Sequence, residues 1–259
     1  MSNTCQINEV IKSLKKSPQS LGDYENSLSD YGCTIIACGP SLEKEKLKII
    51  ENRSRGDLII CIKQSMLFFE GQCHFHFNNF CNFQKYKDDP LTISCLAWWD
   101  ENQKRAHPSE FLAADILFEI KTKSTISNLS RLLNQDGFNE VMRIRGNDSF
   151  FKGPGIMYEC VFPLVHHLGT KNVTIFGWDI GNNKNSIDHF YNNEQDLNKQ
   201  IKYKSGSYTG ETNLIAAALP KVSGFFAEKD IEIKVVSHLN PMDSSGAFTK
   251  MTFKEWESQ

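Results

Sequence analysis

A short apolar strand that runs into a glycine turn, a proline and a serine constrains the fold of this chain most. It spans residues 34–42, and the charged residues after it predict a helix. Gly39 can adopt backbone conformations closed to other residues and lets a ligand approach the main chain. Ser41 is predicted to cap the helix, leaving free N–H groups for an anion. The segment thus predicts the phosphate-facing corner of a nucleotide-binding domain, although its spacing matches neither the dinucleotide fingerprint nor the phosphate loop.

Size and charge narrow the classes of protein to consider. The chain has 259 residues, a net charge of −2 and a pI of about 6.4, without a long basic run. A general nucleic-acid binder is therefore not expected. No apolar run approaches the ~18 residues of a membrane-spanning helix. The eight cysteines form no C-x-x-C pair and no signal peptide precedes them, which predicts reduced thiols in the cytoplasm.

Alternating strands and helices predict an α/β fold: a Rossmann-like, doubly wound and mostly parallel sheet. Residues 1–30 are expected to be a loosely attached polar lead-in with a helix at 7–14. Residues 31–259 are expected to form a single nucleotide-sugar-binding domain with a small irregular or helical insertion or lid at about 100–150. The predicted strands are 34–37, 57–62, 72–77, 91–98, 172–176 and 231–236, and the predicted helices are 43–52, 156–168 with a kink at Pro163, and 211–227.

Ligands of an open parallel sheet bind outside the carboxyl ends of the strands, so the residues after each strand are the candidate site. Asparagine and glycine are also common loop formers, and convergence of several strand ends is what favours a site. The candidates are Cys38, Gly39, Pro40, Ser41, Lys63, Gln64, Asn78, Asn79, Asp179, Ile180 and Gly181.

Further candidates lie outside these strand ends. Gly153, Pro154 and Gly155 open a predicted helix and offer backbone donors to an anion, with Arg143 and Arg145 just before them. His189 is a candidate for proton transfer, and Tyr208 precedes the last predicted helix. For each of these, an ordinary turn or a solvated side chain is the competing interpretation. His166 and His167 lie far from the expected ligand edge and are predicted to be structural.

Cys73, His74, His76 and Cys81 form a candidate zinc set. The alternation of apolar and polar residues over 73–77 fits a strand better, because such a period of two explains the same residues. No metal ligand is therefore assigned.

Residues 35–42 resemble the N-terminal Gly-Pro-Ser-Leu motif of the bacterial sialyltransferases of glycosyltransferase family 42. Residues 168–179, with Leu168-Gly169 and then Gly177-Trp178-Asp179, resemble that family's later Gly-x-Asp segment. Residues 73–79 are similar to the strand ending in its donor-contacting asparagine, and 231–236 to its late strand. The likeness covers roughly residues 33–240. Motility accessory factors and archaeal hydroxymethylpterin diphosphokinases carry similar signatures.

The resemblance implies a Rossmann-like variant of the A-type glycosyltransferase fold that uses a CMP-activated sugar without a metal or other cofactor. It implies that Gly39 and Ser41 hold the phosphates or ribose, that Asn79 contacts the donor, and that the turn at 153–155 lies near the cytosine. This chain departs from the family at two positions, because Cys38 and Lys63 stand where asparagines are expected. Tyr208 stands by spacing near the position of the general-base histidine, and His189 is the alternative proton-handling residue.

The leading hypothesis is a glycosyltransferase that moves sialic acid or a related acidic sugar from a CMP donor to a glycan or glycolipid. The alternatives are a magnesium-dependent diphosphotransferase of the hydroxymethylpterin type, with Asp179 and Asp188 as metal ligands, and a non-catalytic nucleotide-binding accessory protein. A cytoplasmic location is expected. Some relatives contact the inner membrane peripherally or form homo-oligomers, so both remain open expectations.

Overall fold

A computed structural model describes residues 3–42, 44–79, 89–98, 105, 109, 113–119, 156–179, 219–220, 222–238, 240 and 243–259. Its strands are β1 (Gly32–Ile36), β2 (Leu58–Ile62), β3 (Phe75–Asn79), β4 (Ile93–Trp98), β5 (Ile116–Glu119), β6 (Asn172–Phe176), β7 (Glu232–Val236) and β8 (Phe248–Met251). They form one sheet in the order β5-β4-β3-β2-β1-β6-β7-β8. All of the neighbouring strands are parallel. The predicted Rossmann-like α/β architecture is therefore confirmed.

Helices cover both faces of this sheet. They are α1 (Asn3–Lys16), a 3-10 helix at Pro18–Tyr24, α2 (Lys44–Arg53), a 3-10 helix at Lys63–Phe68, α3 (Phe162–Leu168), α4 at 222–228 and α5 (Phe253–Glu257). A π-helical turn at Met157–Val161 leads directly into α3. Pro163 lies in the first turn of α3, just after the change from π to α geometry, where its missing N–H is tolerated.

The order of the strands reverses at β1. From there the chain moves outward on one side to β5, and then returns to the other side of β1 with β6. The central register pairs Ile35 with Ile60 on one flank and with Ile175 on the other. A reversal of this kind leaves a crevice between the loops at the carboxyl ends of the two strands, and ligands of open α/β sheets bind there.

The sheet separates a larger and a smaller apolar layer. Successive residues of a strand point to opposite faces, so Ile35 and Ile175 join the larger layer while Ile36 and Phe176 join the smaller one. The helices α1, α3 and α4 cover the larger layer, and α2 and α5 cover the smaller one. Each of these four side chains is at most 2% exposed, which explains why the strands have continuous apolar sequences.

The expectation of a loosely attached N-terminal lead-in is wrong. Helix α1 forms as predicted, but Ile7, Ile11 and Leu14 are completely buried in the larger apolar layer. Lys15 further ties α1 to the sheet, because its ammonium donates to Asp115 Oδ2 at 2.7 Å and to the Thr92 carbonyl at 2.9 Å. Most residues of this helix are polar, but it carries a narrow apolar stripe with helical spacing.

Two further expectations need correction. Residues 116–119, placed by prediction within the insertion or lid, form the edge strand β5 and pair with β4. Strand 231–236 was expected to end the pattern, yet β8 pairs with β7 and α5 follows it. The first part of the helix predicted at 211–227 and most of the rest of the insertion lie outside the described residues.

Candidate functional site

The glycine corner after β1 packs against the segment after β6, at the point where the strand order reverses. The Gly39 N–H donates to the Gly177 carbonyl at 2.7 Å, and the Ser41 N–H donates to Asp179 Oδ2 at 2.7 Å. A Cβ atom on Gly39 would overlap both the Gly177 carbonyl and the Asp179 carboxylate. Gly177 has a φ of 67°, in the left-handed region that favours glycine. The two glycine segments singled out in the sequence therefore form one structural unit.

Asp179 joins this corner to the end of β7. Its second carboxylate oxygen accepts a hydrogen bond from the Ser237 hydroxyl. That hydroxyl in turn accepts the Asn240 N–H at 3.0 Å, and the Asn240 amide donates to the Trp178 carbonyl at 2.7 Å. The carboxylate thus fixes three loops at the switch point, and we refer to Ser41, Asp179 and Ser237 as the Asp179 clamp. Ser237 directly follows the last predicted strand, so the strand-end rule applied to that strand would have identified it.

The predicted cap and free amides at the corner are not formed. The N–H groups of Gly39 and Ser41 are donated within the protein, and the Leu42 N–H donates to the Gly39 carbonyl at 3.1 Å. The Ser41 hydroxyl is buried and has no hydrogen-bond partner within the described part of the chain. A carboxylate thus occupies the place at which the sequence predicted an anionic ligand, because both present the same acceptor oxygens to the amides.

Cys38 is buried beneath the corner, where its thiol donates to the Ile62 carbonyl at 3.0 Å. Burial raises the pKa of the thiol to about 11, and the nearby Lys63 charge lowers it by a smaller amount. The protonated thiol joins the ends of β1 and β2. Ser65 makes the same connection, because its hydroxyl donates to the Ile36 carbonyl at 2.8 Å and accepts the Ile62 N–H at 3.0 Å.

Lys63 begins the segment after β2 in a left-handed conformation, with a φ of 54°. This conformation is uncommon for a residue with a side chain and costs about 1 kcal/mol. The Lys63 carbonyl lies 2.8 Å from His76 Nε2, which supports the turn. Gln64, the next predicted site residue, is 1% exposed and is a buried residue of the 3-10 helix at Lys63–Phe68. Within the described part of the chain, Lys63 has no ion-pair partner.

His76 and Asn78 form a buried polar pair on β3. Because a carbonyl can only accept, His76 Nε2 carries the proton that is donated to Lys63, and Nδ1 accepts from the Asn78 amide at 3.1 Å. Burial lowers the pKa of His76 to about 4, so the ring is neutral near pH 7. Among the described residues Asn78 Oδ1 has no partner, although Asn78 is fully buried.

The structure brings together four of the predicted strand ends and leaves other predictions outside its described part. The ends of β3, β2, β1 and β6 are consecutive along the carboxyl edge of the sheet, so Asn78, Lys63, Cys38 and the segment 177–179 lie side by side. Pro40 is half-buried at the same corner, and Asn79 ends β3. Ile180, Gly181, Arg143, Arg145, Gly153, Pro154, Gly155, Asp188, His189 and Tyr208 lie outside the described residues.

The histidines that were predicted to be structural have that role. His167 is buried, and its Nε2 lies 2.9 Å from the Leu21 carbonyl. Both His166 and His167 belong to the last turn of α3, before the amino end of β6. His74 was a member of the candidate zinc set. In the structure its Nδ1 accepts the Ile59 N–H at 2.8 Å. Across the described residues, no group of three or more histidine, cysteine or acidic side chains is arranged to hold a metal ion.

A cavity of about 270 Å³ lies on the smaller apolar face, between α2 and α5 and next to the Asp179 clamp. The helices of the described part include none that is both long and apolar enough to cross a membrane. Comparison of the chain with protein-family models, with curated proteins and with solved structures found no match.

Proposed function

We propose that the chain is a glycosyltransferase that binds a CMP-activated acidic sugar along the carboxyl ends of β3, β2, β1 and β6. The observation that supports this most is the packing of the Gly39 corner against Gly177 and Asp179 at the reversal of strand order. Crevices at such reversals are the sites at which open α/β sheets bind nucleotides. The resemblance of both glycine segments to the sialyltransferase motifs supports the choice of donor.

In this proposal Lys63 neutralises the donor phosphate. The corner amides are already bonded within the protein, so the phosphate needs another positive group at this edge. Lys63 is half-buried and close enough to Cys38 for its charge to act on that thiol. A cation in a partly desolvated site also stabilises the charge that builds up on a departing phosphate. Here an ammonium replaces the asparagine expected from the resemblance.

The proposed reaction is attack of an acceptor hydroxyl on the anomeric carbon of the sugar. The new bond forms between the acceptor oxygen and that carbon as the bond to the CMP oxygen breaks. A base removes the hydroxyl proton, and CMP leaves with the bonding electron pair. His189 is our first candidate for the base, with Tyr208 as the alternative. A glycan or glycolipid is the proposed acceptor, in the cytoplasm or at the inner face of the membrane.

The direct test measures CMP release from CMP-sialic acid by the full chain and by His189→Ala. We expect release by the native chain in the presence of a chelator, and a loss of about 100-fold or more in the variant. Unchanged turnover in the variant would remove His189 from the base role and transfer the test to Tyr208→Phe. An absence of turnover with binding retained would instead support the non-catalytic alternative.

The magnesium-dependent diphosphotransferase is less well supported by the geometry of Asp179. Both carboxylate oxygens already accept hydrogen bonds, from Ser41 and from Ser237, which suits a structural role better than metal coordination. The two reactions differ in their requirements, because diphosphate transfer needs ATP and Mg²⁺. Formation of AMP from ATP, dependent on Mg²⁺, would favour the alternative.

A further inference from the structure

The cavity between α2 and α5 has a defined construction. Its floor consists of Phe176 of β6 and Val236 of β7, and its walls include Ile50 of α2 and Phe253 of α5. Helix α5 is held in place away from the opening, where Arg53 stacks over Trp256 with 4.5 Å from the guanidinium carbon to the ring centroid. The space is therefore bounded by packed elements of the fold.

Positive charge predominates around this apolar space. Lys46, His238 and Lys254 line it, and among the described residues of the lining Glu257 is the one acidic side chain. The Lys46 ammonium lies 5.0 Å from the centroid of the Phe253 ring, so a cation and an aromatic surface occur side by side. A ligand that complements this wall has an apolar body and a negatively charged group.

An orphaned hydroxyl provides a separate indication. Ser41 lines the cavity and is 8% exposed, and its buried Oγ has no hydrogen-bond partner among the described residues. A buried hydroxyl left unpaired costs about as much as a lost hydrogen bond, so natural structures usually supply a partner from the protein, water or a ligand. The Ser41 amide is occupied by Asp179, and only the hydroxyl is left for a ligand.

We propose that the cavity is a second binding site that takes a small amphipathic anion, namely an aromatic or branched aliphatic group bearing a phosphate or carboxylate. The volume of about 270 Å³ suits a ligand of about one ring plus its charged group. The apolar body lies against Phe176 and Phe253, the anion faces Lys46 and Lys254, and the Ser41 hydroxyl hydrogen-bonds the anion. This site adjoins the nucleotide edge at Ser41 and Gly177, but its lining includes neither Cys38 nor Lys63.

The position of the cavity also couples it to the nucleotide edge. Ser41 and Ser237 line the cavity, and both hydrogen-bond Asp179. A ligand that orders these two serines therefore orders the corner that packs against Gly177. Coupling between two binding sites is reciprocal, so CMP and the second ligand change each other's affinity by the same factor.

Phenyl phosphate is a suitable probe, with inorganic phosphate and benzyl alcohol as controls for its two halves. Calorimetric titration of the full chain is expected to give a Kd of about 1 mM for phenyl phosphate, and at least tenfold weaker binding for each control. The double variant Lys46→Gln/Lys254→Gln is expected to weaken binding about tenfold. Lys48→Gln is the matched control, because Lys48 is exposed on the same helix but does not line the cavity.

The variant Lys63→Asn separates this site from the nucleotide edge. We expect it to leave the phenyl phosphate affinity within twofold, because Lys63 does not line the cavity. Absence of binding to the native chain would overturn the proposal. Binding that is lost in Lys63→Asn and retained in Lys46→Gln/Lys254→Gln would also overturn the proposal, since the probe would then occupy the nucleotide edge. Thermal melting of each variant confirms that it is folded.

Discussion

Lys15 and Lys63 lie at opposite edges of the same parallel sheet, and they differ in whether the protein supplies a counterion. At the amino edge, Lys15 is paired with Asp115 and also donates to a carbonyl, which ties α1 to β4 and β5. At the carboxyl edge, Lys63 stands on a left-handed backbone, and the described residues provide no counterion for it. We therefore assign a structural role to Lys15 and propose an anionic ligand for Lys63.

The largest effect is expected from Gly39→Ala at the carboxyl edge. The new methyl group would overlap the Gly177 carbonyl and the Asp179 carboxylate. Movement of the carbonyl would break its hydrogen bond with the Gly39 N–H, and movement of the carboxylate would break the Asp179 clamp. We expect a loss of about 3 kcal/mol or more in the free energy of unfolding, measured with urea. Gly224→Ala is the matched control, because the space around Gly224 is open, and it should be neutral or slightly stabilising.

Lys15→Met tests the ion pair between Lys15 and Asp115 at the amino edge. Removal of the ammonium leaves the Asp115 carboxylate, which is only 19% exposed, without its ion-pair partner. We expect a loss of about 2–3 kcal/mol in the free energy of unfolding. The double variant Lys15→Met/Asp115→Leu should recover part of this loss. A loss in the single variant below about 0.5 kcal/mol would show that the ion pair does not hold α1 in place.

Acid should weaken the fold through histidines at both edges. Burial lowers the pKa values of His74 and His76 from 6.5 to about 4. Between these pH values the unfolded chain binds more protons than the folded chain, so stability falls as the pH is lowered. We expect a loss of about 1–2 kcal/mol per histidine between pH 6.5 and 4.5. His76→Gln should reduce this slope, and an unchanged slope would contradict the buried neutral ring.

Lys63→Asn should have the smallest effect on stability and a selective effect on binding. Asparagine tolerates the left-handed backbone, so the free energy of unfolding should change by less than about 0.5 kcal/mol. The affinity for CMP should fall about tenfold, while that for cytidine, which lacks the phosphate, should not change. Equal losses for both ligands in calorimetric titrations would assign Lys63 to the nucleoside and not to the phosphate.

The sheet was largely predictable, because its central strands are apolar runs that end in turn residues. The edge strands were not, since Ile116–Glu119 has only four residues and Phe248–Met251 buries only its two end residues. The attachment of α1 depends on three apolar residues within a polar segment, and a single sequence does not show where such a stripe packs.

The candidate site was predictable in its location and not in its hydrogen bonds. The rule that ligands bind at strand ends placed Cys38, Lys63 and Asn78 at one edge, as the strand order confirms. The bond between the Ser41 amide and Asp179 spans 138 residues, so local spacing gave no indication that the corner had an internal acceptor. The left-handed backbone of Lys63 depends in the same way on His76, thirteen residues away on another strand.

We propose that the carboxyl edge binds a cytidine nucleotide without a metal. A thermal-shift series with CMP, CDP, UDP, GDP and ATP, each with and without Mg²⁺, tests it directly. A ligand that binds only the folded state raises the melting temperature, and the size of the shift ranks the nucleotides. We expect the largest shift with CMP, and the same shift in the presence of Mg²⁺ or of a chelator. Stabilisation by ATP with Mg²⁺ alone, and none by CMP, would contradict it.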